Sequence, residues 1–352
     1  MSQEPFSGHN SAMKSAVIAS AILFACRLST AADWPTYRGD NARSGVTRER
    51  LGFPLSAAWT YQPLHAPRPA WGDPNPRKVG GWHGSVEGRR VHFDDAFHPV
   101  IAGGTLFFGS SADCKVYALD AATGQERWSF FTGGPVRLPP SVADGRVYFG
   151  SDDGWVYCLA AGDGSLVWKF LAAPNDRKVL GSGRMVSLWP VRTGVLVDGG
   201  VAYFASGIFP AEGVYLFAVN ADDGKLLWCY DAGGAQPQSR FSPQGPMLAS
   251  KTTLFVPTGR VSPFAFDRAT GKVLHQPSFG HDVGGTWALL ADGCVYTGTE
   301  QLIAYGQATP FRRMAWFEGR KLAVGPDAYY LATGREMIAL DRATYPKASL
   351  AQ

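Results

Sequence analysis

The sequence predicts an all-β chain, a β-propeller of about six four-stranded blades. Three observations predict it: a strand motif that returns six times, a second strand ending in Ser or Thr ahead of each copy, and 42 Gly and 24 Pro, a content suited to many tight turns.

The motif is clearest at Val116-Tyr117-Ala118-Leu119-Asp120, followed by Gly124 and Trp128. It returns at Val156-Tyr157-Cys158-Leu159 with Gly164 and Trp168, and at Leu216-Phe217-Ala218-Val219 with Gly224 and Trp228. Weaker copies are Phe264-Ala265-Phe266-Asp267 with Gly271, Leu302-Ile303-Ala304-Tyr305, and Met337-Ile338-Ala339-Leu340-Asp341. The small central residue recurs at intervals of 40, 60, 47, 39 and 35 residues. A bulky side chain there would clash with a neighbouring sheet, so the pattern implies closely stacked sheets.

The preceding strands end at Ser110, Ser151, Ser206, Thr258, Thr299 and Thr333, with turn signals upstream at Asp144-Gly145, Asp198-Gly199 and Asp292-Gly293. The stretch from Asp120 to Gly124 is a second turn, its glycine expected at positive φ, leading into an outer strand that carries the Trp. A β-helix would repeat at shorter intervals, and a helical solenoid would show a 3.6-residue period. The sixth copy has no Gly and no Trp strand, whereas Ala57-Ala58-Trp59-Thr60-Tyr61 is a Trp strand without a copy. Pairing the two would seal a six-bladed ring; the rival expectation is an open arc.

Residues 1–32 have the layout of a signal peptide: Lys14, an apolar run Ala16 to Ala25, then Ser29-Thr30-Ala31-Ala32. The run is short for a bilayer span, so the mature chain, 33–352, is expected in the periplasm or secreted, with lipid attachment at Cys26 as an alternative. A formal charge of +4 without blocks of like charge gives no reason to expect nucleic acid. Cys114, Cys158, Cys229 and Cys294 are far apart, without a CxxC pair or clustered His, which argues against zinc and for buried, unpaired thiols. The segment 62–96 is an irregular insertion, too long for a turn between blades and placed to cover one face.

The motif V-Y-A-L-D-A-A-T-G-x-x-x-W resembles the repeat of the pyrroloquinoline-quinone-like propellers over residues 97–345. That superfamily includes quinoprotein alcohol dehydrogenases and the lipoprotein scaffold of the outer-membrane protein assembly machine. The opening Asp33-Trp34-Pro35-Thr36-Tyr37-Arg38-Gly39-Asp40-Asn41 is similar to the start of many exported, mostly uncharacterised members. Those relatives are longer, so the propeller is expected to be incomplete relative to them. The resemblance implies the fold, not the activity. Quinoprotein dehydrogenases stack the quinone on a Trp, cover it with a disulfide between adjacent cysteines and hold calcium with a Glu, Asn and Asp set. This sequence has no adjacent cysteines and no recognisable calcium set.

Neither a phosphate-binding loop nor a Gly-x-Ser-x-Gly elbow is present. The candidate ligand-binding residues are therefore those ahead of the innermost strands: His98, Arg137, Trp189, Arg192, Arg240 and Trp287. Arginine forks beside indole faces suit an anionic, planar or sugar-like ligand at the channel mouth, the alternative being ion pairing with Asp94, Asp95 and Asp267. The expectation is a non-catalytic binding or scaffold protein of the cell envelope, without a cofactor, whose partner is an envelope protein, peptide or glycan. The alternatives are an oxidoreductase using pyrroloquinoline quinone with calcium, and a fragment of a larger propeller.

Overall fold

Hairpins build the fold one sheet at a time. Asp144-Gly145 and Asp292-Gly293 both have positive φ at the two positions, the geometry that closes a two-residue hairpin without splaying its strands. In the third blade the turn is Gly199-Gly200, one residue later than the sequence suggested, because Asp198 still pairs with Val201. The computed structural model describes residues 32–70, 93–181, 183–235, 241–259, 261–277, 284–299, 301–308 and 311–345. The signal-peptide assignment, Cys26, Arg240 and most of the 62–96 insertion lie outside them.

Residues 33–352 form one compact unit. Its first blade comprises β1 (Val100–Ala102), β2 (Thr105–Ser110), β3 (Lys115–Asp120) and β4 (Glu126–Phe131), and its second β5 (Ser141–Ala143), β6 (Arg146–Gly150), β7 (Trp155–Ala160) and β8 (Leu166–Leu171). A separate hairpin, β9 (Lys178–Gly181) with β10 (Arg184–Ser187), fills the longest interval between copies. The third blade is β11 (Leu196–Asp198), β12 (Val201–Ser206), β13 (Tyr215–Asn220) and β14 (Leu226–Asp231). The fourth is β15 (Leu248–Ala249), β16 (Thr253–Val256), β17 (Phe264–Asp267) and β18 (Val273–His275). The fifth is β19 (Ala288–Ala291), β20 (Cys294–Gly298), β21 (Gln301–Gly306) and β22 (Arg313–Glu318). The sixth is β23 (Lys321–Val324), β24 (Ala328–Ala332) and β25 (Met337–Asp341). Every sheet is an antiparallel meander, so the chain is a β-propeller with five four-stranded blades and a sixth of three described strands.

Tryptophan locks join consecutive blades. Trp128 lies opposite the small Ala118 across the β3–β4 ladder and donates its indole N–H to Ala161 of the second blade, 3.0 Å. Trp168 does the same to Ala221 (2.9 Å) and Trp228 to Arg268 (3.0 Å). Each ring lies over the turn glycine of the next blade: Trp128 over Gly164, Trp168 over Gly224, Trp228 over Gly271. Gly164 has φ +72°, and a Cβ there would come within 2.7 Å of the Trp128 ring. Gly164→Ala is expected to lower stability by about 1–3 kcal/mol, through both strain and overpacking. Gly162→Ala, at an open position of the same turn, is the control expected to change little in a thermal melt.

Trp59 makes the same lock on the first blade, with its N–H to Ala121 at 3.1 Å and its ring over Gly124. The expected pairing of its strand with the sixth copy is corrected: residues 57–61 form no ladder, and β25 pairs only with β24 among the described residues. Ala339 on β25 is exposed, whereas Ala118 and Ala218 at the matching register are fully buried. The lock is also replaced on the later blades. His275 and Ala315 occupy the Trp register opposite Ala265 and Ala304. The matching turns 306–312 and 341–345 carry no glycine at the lock position; instead Phe311 packs against His275 at 4.4 Å and Tyr345 stacks on Phe317 at 5.2 Å.

The thiols are unpaired, as expected, but not all are buried: Cys158 is, Cys114 and Cys294 are half-buried, and Cys229 on an outermost strand is exposed.

Candidate functional site

The first strand of a blade faces the channel and has one unpaired edge. Here residues 33–45 use those edges. Trp34 exchanges two backbone hydrogen bonds with Ile101 of β1 (2.7 and 2.9 Å), and Pro35 O accepts from Val142 N–H of β5 at 2.7 Å. Asn41 donates its side-chain amide to Val197 O of β11, 2.8 Å, and accepts from Ala249 N–H of β15, 2.9 Å. Ala42 O accepts from Leu290 N–H of β19 at 2.7 Å, and the Arg38 guanidinium reaches Leu322 O of β23 at 3.4 Å. The segment thus touches the innermost strand of all six blades and forms a hub in the channel. Its tightest point is Arg43, 2% exposed, which donates to Met247 O (2.7 Å), Thr36 Oγ1 (2.7 Å), Tyr37 O and Asp40 O (3.1 Å each). Burial lowers the Arg43 guanidinium to about 10, against the raising effect of Asp40.

Beside the hub, Arg137 and Arg192 converge on one carboxylate. Asp152, fully buried, receives Arg192 through two N–H groups (3.0 and 2.9 Å) and Arg137 Nε at 2.7 Å. Arg137 also donates to Asp94 at 2.6 Å and to Arg68 O at 2.8 Å, and Asp94 accepts from Ala70 N–H at 2.8 Å. Burial works to raise the Asp152 carboxyl, but Arg192 and then Arg137 outweigh it and hold it below the usual carboxylate range. These arginines are engaged by protein: Arg137 by Asp94, one of the expected ion-pair partners, and both by Asp152, which was not among them. Trp189 is also committed: it is 6% exposed and its indole N–H donates to Glu212 O at 2.7 Å.

The remaining two candidates come together. His98 and Trp287 line a cavity of about 100 Å³ with Tyr37, Asp95, Thr286 and Lys321, floored by Phe93, Leu138, Pro139 and Pro246. His98 shares its Nε2 proton with Phe93 O at 2.8 Å and meets the Tyr37 ring edge-on at 6.0 Å. The Lys321 ammonium is 5.8 Å and the Arg38 guanidinium carbon 6.0 Å from the Trp287 ring centre. Tyr37, Arg38 and Lys321 were not among the sequence candidates. Their signal is weak: the hub lies outside the repeats, and Lys321 opens the most divergent blade.

A family model described as "Outer membrane protein assembly factor BamB" matches residues 70–187 and 184–344. The chain belongs to that family. Other proteins are also similar to it. The tetrathionate hydrolase of Acidithiobacillus ferrooxidans is 28% identical over 156 residues, 41% of this chain and 29% of that protein. The dehydrogenase subunit of the quinone alcohol dehydrogenase of Gluconobacter oxydans is 31% identical over 149 residues, 37% of this chain and 18% of that protein. The matched stretches thus span less than a third of those relatives' length. The crystal structure of quinohemoprotein alcohol dehydrogenase from Comamonas testosteroni superposes with a TM-score of 0.59 at 18% identity, covering 88% of this chain and 52% of that one. That likeness is one of fold.

Proposed function

We propose that the chain is an exported, non-catalytic propeller of the cell envelope that binds or scaffolds a protein, peptide or glycan. The observation that carries this reading is the hub: the chain's own residues 33–45 occupy the channel onto which the innermost strands open. The family, described as an assembly factor, supports the same direction. No helix among the described residues is long and apolar enough to cross a membrane.

The names of the quinone-dependent relatives raise the cofactor question, and the cavity beside the hub is a poor fit for one. A cavity of about 100 Å³ is well under the ~300 Å³ at which pockets for drug-sized ligands begin. Among the described residues Asp95 is the only carboxylate that lines it, and Asp152 is engaged by two arginines. Among the described residues no group of three or more His, Cys, Asp or Glu could hold a metal ion.

Purified protein incubated with pyrroloquinoline quinone and calcium is expected to retain no quinone absorption band after desalting, and to reduce no dye with a primary alcohol. A retained band with alcohol-dependent dye reduction would overturn the proposal.

A further inference from the structure

The polar groups around the cavity are unusual in having no partner among the described residues. Lys321, Tyr37, Thr286 and His98 line it from four separate segments, and the ammonium, the two hydroxyls and His98 Nδ1 have no hydrogen-bond or ion-pair partner among the described residues. Elsewhere near the channel the cations are satisfied: Arg43 by three carbonyls and a hydroxyl, Arg137 and Arg192 by Asp152. Beside the cavity two cations, Lys321 and Arg38, share one indole ring, and among the described residues neither pairs with a carboxylate. Arg38 Nε is itself buried and unbonded. Partial desolvation and then the charge of Arg38 lower the Lys321 ammonium, and Asp95 acts in the opposite sense.

From this convergence we propose that the cavity is a carboxylate site, with Lys321 as the charge that recruits the anion, Tyr37 and Thr286 as the hydroxyl donors, and the Trp287 face as its wall. The proposal rests on the binding-protein reading and names the chemistry the partner presents. Size sets the class. About 100 Å³ is less than the ~150 Å³ of a cavity that admits benzene. A carboxylate with one or two carbons fits; a sugar or a fused ring does not. The flat anion matches a site walled by an indole, and a charge-assisted hydrogen bond is about twice as strong as a neutral one. Asp95 is the internal competitor, exposed at the rim and free to turn towards Lys321.

The carboxylate has two sources, a small free acid or a peptide, and one titration series separates them. Calorimetry at matched ionic strength uses sodium acetate, a blocked dipeptide with a free C-terminus, a blocked aspartyl amide, and sodium chloride as control. Saturable binding of acetate or of either peptide, absent with chloride, is expected. Lys321→Met is expected to weaken it at least tenfold, and Asp95→Asn to tighten it severalfold. Lys321 is exposed and unpaired, so the variant should melt with wild type and report on binding alone. No saturable binding by any of the three carboxylates, or equal affinity in Lys321→Met, would sink the proposal. Quinone-dependent dye reduction would instead remove the scaffold reading, whatever acetate does, so the two failures are distinct.

Discussion

Asp152→Asn is expected to lower the stability of the folded chain by about 3–5 kcal/mol, as breaking a buried ion pair from one side does. The side chain is fully buried and is the shared acceptor of Arg137 and Arg192, which are 8% and 6% exposed. Asparagine keeps the shape but presents one acceptor oxygen and an amide that faces guanidinium donors. Asp94 then still pairs with Arg137, but Arg192 loses the carboxylate that it shares with Arg137. The loss should appear as a lower urea midpoint at unchanged slope. The network also predicts an acid limit. The Asp152 carboxyl is held below its ordinary value in the folded chain, so its contribution is fully present above the unfolded carboxyl's range, near pH 4. It is lost as pH falls from there through the depressed native value. Wild type should therefore lose stability below about pH 4 more steeply than Asp152→Asn.

Arg43→Met is expected to cost about 3 kcal/mol and to loosen the channel as a unit. The substitution preserves much of the volume but strands Met247 O and Tyr37 O, which accept from the guanidinium, while Asp40 O keeps the backbone N–H of residue 43. A buried acceptor left unsatisfied costs about 1–3 kcal/mol, less where water can enter. Arg43→Lys keeps the charge without the planar fork and should recover only part of the loss. Hydrogen exchange provides a specific readout. The amides of Val142, Ala249 and Leu290 belong to three different blades but donate to neighbouring carbonyls of residues 35–42. They should lose protection together in Arg43→Met, while the Trp128 and Trp168 locks between the outer strands stay protected. Independent exchange at the three amides would show that the segment does not act as a hub.

What repeats was legible. The Ala118, Cys158 and Ala218 positions, the turn glycines and the Trp strands recur because each blade solves the same packing problem, and the structure shows ring over glycine at each strong copy. What occurs once was not. The role of Trp34 to Gly45 has no internal copy, and its contacts are with strands up to 284 residues away. The arginines were correctly placed ahead of the innermost strands and Asp94 was among the named partners, but their shared acceptor was not foreseen. Asp152 lies 15 residues from Arg137 and 40 from Arg192, in a turn whose sequence resembles any other. The Trp59 lock was readable from its aromatic pattern. The edge of β25, which pairs only with β24 among the described residues, stayed open between a sealed ring and an arc, because strand pairing across the ends of a chain depends on where the last blade lies, which local pattern does not encode.

The hub also orders the route by which the chain reaches its native state. Each blade can form its own meander from neighbouring residues, with hairpins closing in microseconds. Residues 33–45 need acceptors and donors that become available only along the whole length, from Ile101 to Leu322. Contacts of such separation pay their loop-closure entropy late, so the final cooperative step should be slow although its parts are quick. The stretch made near the start of synthesis therefore waits for the last blade, and refolding should show early sheet formation followed by a delayed burial of Trp34.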